Sequence, residues 1–207
     1  GIIWTKEVED YQRFGVVVTD ADGHMTKIVE KPKTPISKRA NIGLYYIRNW
    51  QLLYEGIAHV LSQPTNQGEY YLTDAFQYMI EHGAKIKVID VEGWYDAGKI
   101  DTLLDTNRAM LDKGRARVPA GIDPSQIVHP VYIEDGVTIT GSVVGPNVSI
   151  GKGSVIEHAH LKDTVIGDKT RIARCTLSNS LIGSEVVLAG ITGEVTIGDH
   201  SEVRADA

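Results

Sequence analysis

Glu30 and Lys31 stand side by side ahead of Pro32, a carboxylate next to an ammonium. Together they can do two things a phosphorylated sugar needs: the carboxylate accepts hydrogen bonds from hydroxyls, and the ammonium meets a phosphate. A solvated surface also produces such neighbours. Asp96, flanked by Trp94, Tyr95 and Gly98, is a carboxylate that can hold Mg²⁺ beside phosphate oxygens. The same residue could serve as N-cap of the helix that follows. Asn41 precedes Gly43, and Thr73-Asp74 opens a periodic apolar stretch, where helix capping is the simpler account of the threonine. His158, His160 and His200 could offer an acyltransferase base, although histidines on an exposed repeat are ordinarily solvated.

These residues need elements to hold them. The aliphatic run Gly15 to Thr19, the turn residues Asp20-Ala21-Asp22-Gly23 and the stretch Met25 to Glu30 predict a β-hairpin. Pro32 and Pro35 break the chain, Asn41 to Ile47 reads as a strand, and Trp50 to Leu61 as one or two short helices. Leu72, Ala75, Phe76, Met79 and Ile80 recur at helical spacing up to the stop at Gly83. Lys85 to Val91 follows as a strand, Gly93 to Gly98 as a loop and Ile100 to Leu111 as a helix. Prolines and glycines then cluster in residues 114–131, which reads as a linker between an α/β part, residues 1–113, and a repeat over 132–207.

Ile150-Gly151, Ile166-Gly167 and Ile182-Gly183 recur sixteen residues apart. Apolar residues step between them at Ile133, Ile139, Val144, Ile156, Leu161, Ile172 and Leu177, in intervals of five or six. Such steps close a three-sided coil pointing one aliphatic side chain inward per face, and coils must stack to bury them. Gly145-Pro146-Asn147, Gly151-Lys152-Gly153 and Gly167-Asp168-Lys169 supply corners and positive φ. The spacing predicts a parallel β-helix of three to four coils, with Val195-Thr196-Ile197-Gly198 as an imperfect last one.

The chain has 207 residues, 42% of them hydrophobic, enough for a sizeable core. A formal charge of -6 leaves no dominant basic face, which argues against nucleic acid. The single cysteine, Cys175, reads as a packed side chain within the repeat. No apolar run approaches the roughly 18 residues of a membrane span, and the expected location is the cytoplasm.

The order of the motifs resembles the sugar-phosphate nucleotidyltransferases, in particular glucose-1-phosphate thymidylyltransferases with a C-terminal left-handed β-helix. The matching stretches are Glu7-Val8-Glu9-Asp10 with Phe14-Gly15-Val16-Val17, Ile28 to Pro32, Asn41 to Tyr45, Gly68 to Ala75, and Gly93 to Gly98. The resemblance implies that residues 1–113 are the sugar-binding half of a mixed-sheet nucleotidyltransferase domain and residues 132–207 a left-handed β-helix. It implies that Gly15 offers its backbone to a sugar hydroxyl, that Glu30 and Asn41 bond other hydroxyls, and that Lys31 meets the sugar phosphate. Asp96 is implied as the Mg²⁺ ligand and Thr73 as a further substrate contact. Lys31 and Asp96 are the residues implied in catalysis. The implied substrates are a nucleoside triphosphate, dTTP, and glucose-1-phosphate, the implied products a nucleotide sugar and pyrophosphate, and the implied assembly a homo-oligomer.

Lys99 departs from the threonine of many relatives after the metal loop, and the family's Gly-rich nucleotide loop has no counterpart here. The chain therefore reads as the C-terminal portion of a longer polypeptide, inactive alone. Two other readings stand beside the enzyme: a β-helix acyltransferase using acetyl-coenzyme A, and a non-catalytic sugar-nucleotide-binding or assembly module.

Overall fold

The computed structural model describes residues 1–66 and 68–205, in two compact units, Gly1–Trp94 and Tyr95–Ala207. In the first, five strands form a mixed sheet: β1 (Ile2–Glu7), β2 (Gly15–Thr19), β3 (Met25–Glu30), β4 (Arg39–Tyr46) and β5 (Lys87–Asp90), in the order β3-β2-β4-β1-β5. Only β1 and β5 pair in parallel. The β2–β3 hairpin turns where its Asp and Gly residues predict, with Gly23 at φ +72° and the His24 N–H donating to Asp20 Oδ1 at 2.8 Å. Helix α1 (Trp50–Ser62) is a single helix, its first turn capped by Asn49 Oδ1, which accepts the Leu52 N–H at 3.2 Å.

Helix α2 (Leu72–Glu81) follows the predicted span and buries Ala75, Phe76 and Met79. Phe76 and Met79 pack with Ile3, Val17, Met25, Ile28 and Ile86 to make this unit's core. The helix stops because Gly83 takes φ +85°, letting the Gly83 N–H donate to Ile80 O at 3.0 Å and the Ala84 N–H to Met79 O at 2.9 Å.

The second unit is helix α3 (Ile100–Met110) with a β-solenoid. Ile139, Ile156, Ile172, Leu188 and Val203 stack in one column, and Ile133, Ile150, Ile166, Ile182 and Ile197 in another. Val144, Leu161 and Leu177 form the third, which ends on Gly193. All ten aliphatic positions read from the repeat are buried, none more than 9% exposed. Each fully buried Ile or Leu contributes about 1.5–3 kcal/mol.

The stack has five coils, not three to four. One rung is lengthened and one shortened: Ile133 faces Ile150, seventeen residues on, whereas Ile182 faces Ile197, fifteen on. The stretch 114–131 is no free linker either. The Arg117 N–H donates to Val131 O at 2.9 Å, the Val128 N–H donates to Val144 O at 2.8 Å, and Val118, Ile122 and Ile127 pack on the core. It closes the first end of the stack. Cys175 is buried as expected, its thiol donating to Ala173 O at 3.3 Å.

Each of the three expected corner triplets holds a positive φ. Gly145, Asn147, Gly153 and Lys169 do take positive φ, but Gly151, Gly167 and Gly183 do not. These three are needed for space: a Cβ on any of them would lie within 2.7 Å of backbone in the next coil.

Candidate functional site

Gly15 begins β2 opposite Glu30, the last residue of β3. A Cβ on Gly15 would sit 2.7 Å from Glu30 Oε2 and 2.8 Å from Thr73 Cγ2, so only glycine lets three elements close here. Thr73 donates its hydroxyl to Glu30 Oε2 at 3.0 Å. The capping account of Thr73 fails, because Tyr71 is the N-cap of α2 and Thr73 lies in the first turn, 4% exposed, facing the carboxylate. Burial raises the Glu30 carboxyl above its ordinary value, against the lowering effects of the Thr73 bond and Lys31, while Asp74 and Glu69 raise it further.

Immediately after Glu30 the backbone turns left-handed, with Lys31 at φ +43° and its N–H donating to Phe14 O at 3.0 Å. That turn carries the ammonium to Glu69 Oε2 at 3.2 Å and Tyr71 Oη at 3.4 Å, over the Tyr71 ring 5.0 Å from its centroid. Tyr71 in turn donates to Glu69 Oε2 at 2.7 Å. On β4, Asn41 donates from Nδ2 to Tyr45 Oη at 2.6 Å and accepts the Gly43 N–H on Oδ1 at 3.0 Å. Burial raises the Tyr45 phenol, the Asn41 bond lowers it, and the charge of Glu30 raises it again. Gly15, Glu30 and Thr73 are thus assembled directly, the Lys31 ammonium lies with Glu69 and Tyr71, and Asn41 bonds to Tyr45, whose phenol feels the Glu30 charge.

Glu69, Tyr71 and Tyr45 were not singled out by sequence. All three lie inside the quoted motifs, and the signal available was the repeated tyrosine of Glu69-Tyr70-Tyr71, an aromatic and an acid two residues apart. The cluster can hold a polyhydroxylated anion: acceptors on Glu30 for hydroxyls, an amide and a phenol beside them, and one exposed ammonium whose present partners an incoming phosphate would replace.

A half-buried carboxylate whose charged form is disfavoured by burial reduces stability at neutral pH. Because folding holds the Glu30 proton more tightly, the group's contribution is complete below its ordinary value near 4.5 and is lost as pH rises through the raised value. Glu30→Gln, which keeps an acceptor for the Thr73 hydroxyl without the charge, is therefore expected to stabilise the protein at pH 7 by at most about 1 kcal/mol, because solvent screens a half-exposed group. Denaturant titrations should show that gain vanishing towards pH 4.

Asp96 lies on the loop that opens the second unit. Its Oδ1 accepts the Gly98 N–H at 3.0 Å, and its carbonyl accepts the Thr106 hydroxyl at 3.2 Å. It is not the N-cap of α3, which is Lys99. A single carboxylate held in one orientation by an Asp-Gly turn fits a Mg²⁺ that takes its other ligands from phosphate and water, and does not make an all-protein cage. Asp20, Asp22 and His24 also bring ligand atoms within 4.8 Å of one another, but on an exposed hairpin turn. Among the solenoid histidines, His200 Nδ1 lies 3.1 Å from Glu185 Oε2 and His158 takes φ +51° at a corner.

The nucleotidyl transferase family model matches residues 1–113. The chain belongs to this family. It is 30% identical over 188 residues to a glucose-1-phosphate thymidylyltransferase of Streptomyces antibioticus, covering 89% of this chain and 51% of that protein. It is 32% identical to the low-salt glycan biosynthesis nucleotidyltransferase of Haloferax volcanii, covering 86% and 55%. It is 28% identical to a glucose-1-phosphate adenylyltransferase of Desulfitobacterium hafniense, covering 94% and 56%. The nucleotidyl transferase chain thus spans about half the length of these relatives. No described helix is long and apolar enough to cross a membrane.

Proposed function

We propose that this chain binds a sugar-1-phosphate, glucose-1-phosphate, for a nucleotidyltransferase that joins it to the nucleoside monophosphate of dTTP. In that reaction a phosphate oxygen of the sugar-1-phosphate attacks the α-phosphorus, the bond from that phosphorus to the bridging oxygen breaks, and pyrophosphate leaves with the electron pair. Such an in-line displacement depends on positioning and charge neutralisation. Glu30 and Asn41 orient hydroxyls, Thr73 holds the Glu30 carboxylate, the open backbone at Gly15 admits the ring, and Lys31 offsets the charge of the attacking phosphate. Asp96 holds Mg²⁺, which offsets charge on the triphosphate when bound. Glucose-1-phosphate is chosen because it stands in the names of both the thymidylyl- and the adenylyltransferase relatives, and dTTP because the Streptomyces antibioticus relative, at 30% identity, is a thymidylyltransferase.

The single observation that carries this reading is the closure of Gly15, Glu30 and Thr73 beside the Lys31 ammonium. Calorimetric titration of glucose-1-phosphate into the chain tests it. Lys31→Met is expected to weaken binding about 10- to 100-fold, the worth of a hydrogen bond to a charged group, while binding of free glucose changes little. Equal loss for both ligands would remove the phosphate role from Lys31.

A further inference from the structure

Three consecutive residues of α3 tie the Asp96 loop to the solenoid. Thr106 donates to the Asp96 carbonyl at 3.2 Å and to Thr102 O at 2.8 Å. Asn107 donates from Nδ2 to the main-chain oxygen of Asn147 at 3.1 Å, and its Oδ1 accepts the hydroxyl of Ser149. Arg108 sets Nε and Nη2 on Asp163 Oδ1 at 3.3 and 3.0 Å, and Asn147 adds its Nδ2 to the same oxygen at 2.8 Å. Three donors on one carboxylate oxygen fix it firmly.

Lys162 Nζ, from within the repeat, also lies 3.8 Å from Asp163 Oδ2, but the anchor to α3 is unlike the exposed ion pairs of the solenoid. Lys169–Glu185, Arg171–Glu157 and Arg204–Glu202 join residues of the solenoid, and each has a side chain at least 48% exposed. The Asp163 side chain is 13% exposed and bonds to a helix outside the repeat. Asp163 and Asn147 also occupy corner positions at φ +46° and +61°, where Asp and Asn are tolerated better than most residues. Burial raises the Asp163 carboxyl, yet the bonds from Asn147 and Arg108 outweigh it and hold it below its ordinary value.

We propose that Asp163 and Asn147 of the solenoid are positioning residues for Asp96: they fix the rotation of α3, and Thr106 on that helix fixes the main chain from which the Asp96 carboxylate projects. The solenoid then has a part in the chemistry without touching substrate. This inference rests on the proposed role of Asp96 as Mg²⁺ ligand.

Hydrogen exchange on the chain tests the tether by itself. Asp163→Asn keeps the side chain's volume and removes its charge. Amides of residues 98–108 should exchange at least tenfold faster in that variant, with the solenoid strands His160–Ile166 and Thr176–Ile182 still protected. Unchanged protection of α3 overturns the proposal. In the active enzyme, Asp163→Asn and Thr106→Val should each raise the Mg²⁺ concentration for half-maximal pyrophosphate release about tenfold, as loss of an outer-shell partner does. The KM for sugar-1-phosphate should stay unchanged. A fall in kcat with an unmoved Mg²⁺ midpoint would mean that only folding was affected, and would overturn the positioning role. Asp96→Ala separates the two levels: if it leaves turnover and the Mg²⁺ midpoint intact, the metal reading itself is wrong, whatever the exchange data say about the tether.

Discussion

Alanine at Gly167 is expected to destabilise the solenoid by on the order of 3 kcal/mol, the upper part of the range for overpacking a rigid site. The new Cβ would lie 2.6 Å from the Ser184 nitrogen and 2.7 Å from the Gly183 carbonyl carbon. Neither can retreat. The Gly167 N–H already donates to Ile182 O at 2.9 Å, and Thr164, Val165 and Ile166 pair in register with Ser180, Leu181 and Ile182. Stacked strands lie only about 4.8 Å apart, so relief requires spreading two coils and lengthening the ladder bonds on either side of the corner. For a chain of this size the loss corresponds to a fall of about 6–12 °C in Tm. Gly198 supplies the control, since Ile197-Gly198 is the same dipeptide at the end of the stack and a Cβ there meets nothing within 4 Å. Gly198→Ala should melt within about 1 °C of the parent, being a surface change. If the two variants lose the same amount, stacking is not what selects glycine after isoleucine.

That contrast also marks how far the fold could be read from sequence. A period repeated along the chain reports each residue's inward or outward direction directly, which is why ten aliphatic positions could be placed without knowing what lay beside them. The coil count fell short because the ends obey the period loosely: the last rung is one residue short, its third column has Gly193 where an aliphatic belongs, and the first end is built from a segment rich in proline. The site shows the opposite limit. Glu30, Lys31 and Gly15 are recognisable in their short motifs, but Thr73 is 43 residues from Glu30, and nothing local says that its hydroxyl turns from a helix to a carboxylate at a strand end. Local reasoning offered helix capping, a sound prior for threonine near a helix start, and it failed because Tyr71 enters the helix first. Glu69 and Tyr71 were hidden for a related reason. As polar residues near the surface they look solvated until the left-handed turn at Lys31 brings an ammonium to both.

Under the proposed function, Asp96→Ala is expected to lower the rate of pyrophosphate release by about 10²- to 10³-fold, the loss that follows removal of one preset charge-stabilising group. The alanine variant alone is ambiguous, because Asp96 also closes a turn through the Gly98 N–H and its loop holds Thr106. Asparagine resolves this. Its carbonyl oxygen can accept the Gly98 N–H in place of Oδ1, so the turn survives while the negative charge does not. If Asp96 acts by holding Mg²⁺, Asp96→Asn should fall nearly as far as alanine, and raising Mg²⁺ should restore part of the rate in the asparagine variant. Glucose-1-phosphate binding, which the proposed function assigns to Glu30, Lys31 and Asn41, should be unaltered in both. If asparagine instead keeps most of the activity and only alanine loses it, Asp96 matters as a turn residue, and the charge on the triphosphate is met by some other group. The two substitutions therefore divide the electrostatic role from the conformational one, which the Asp96–Gly98 hydrogen bond alone leaves joined.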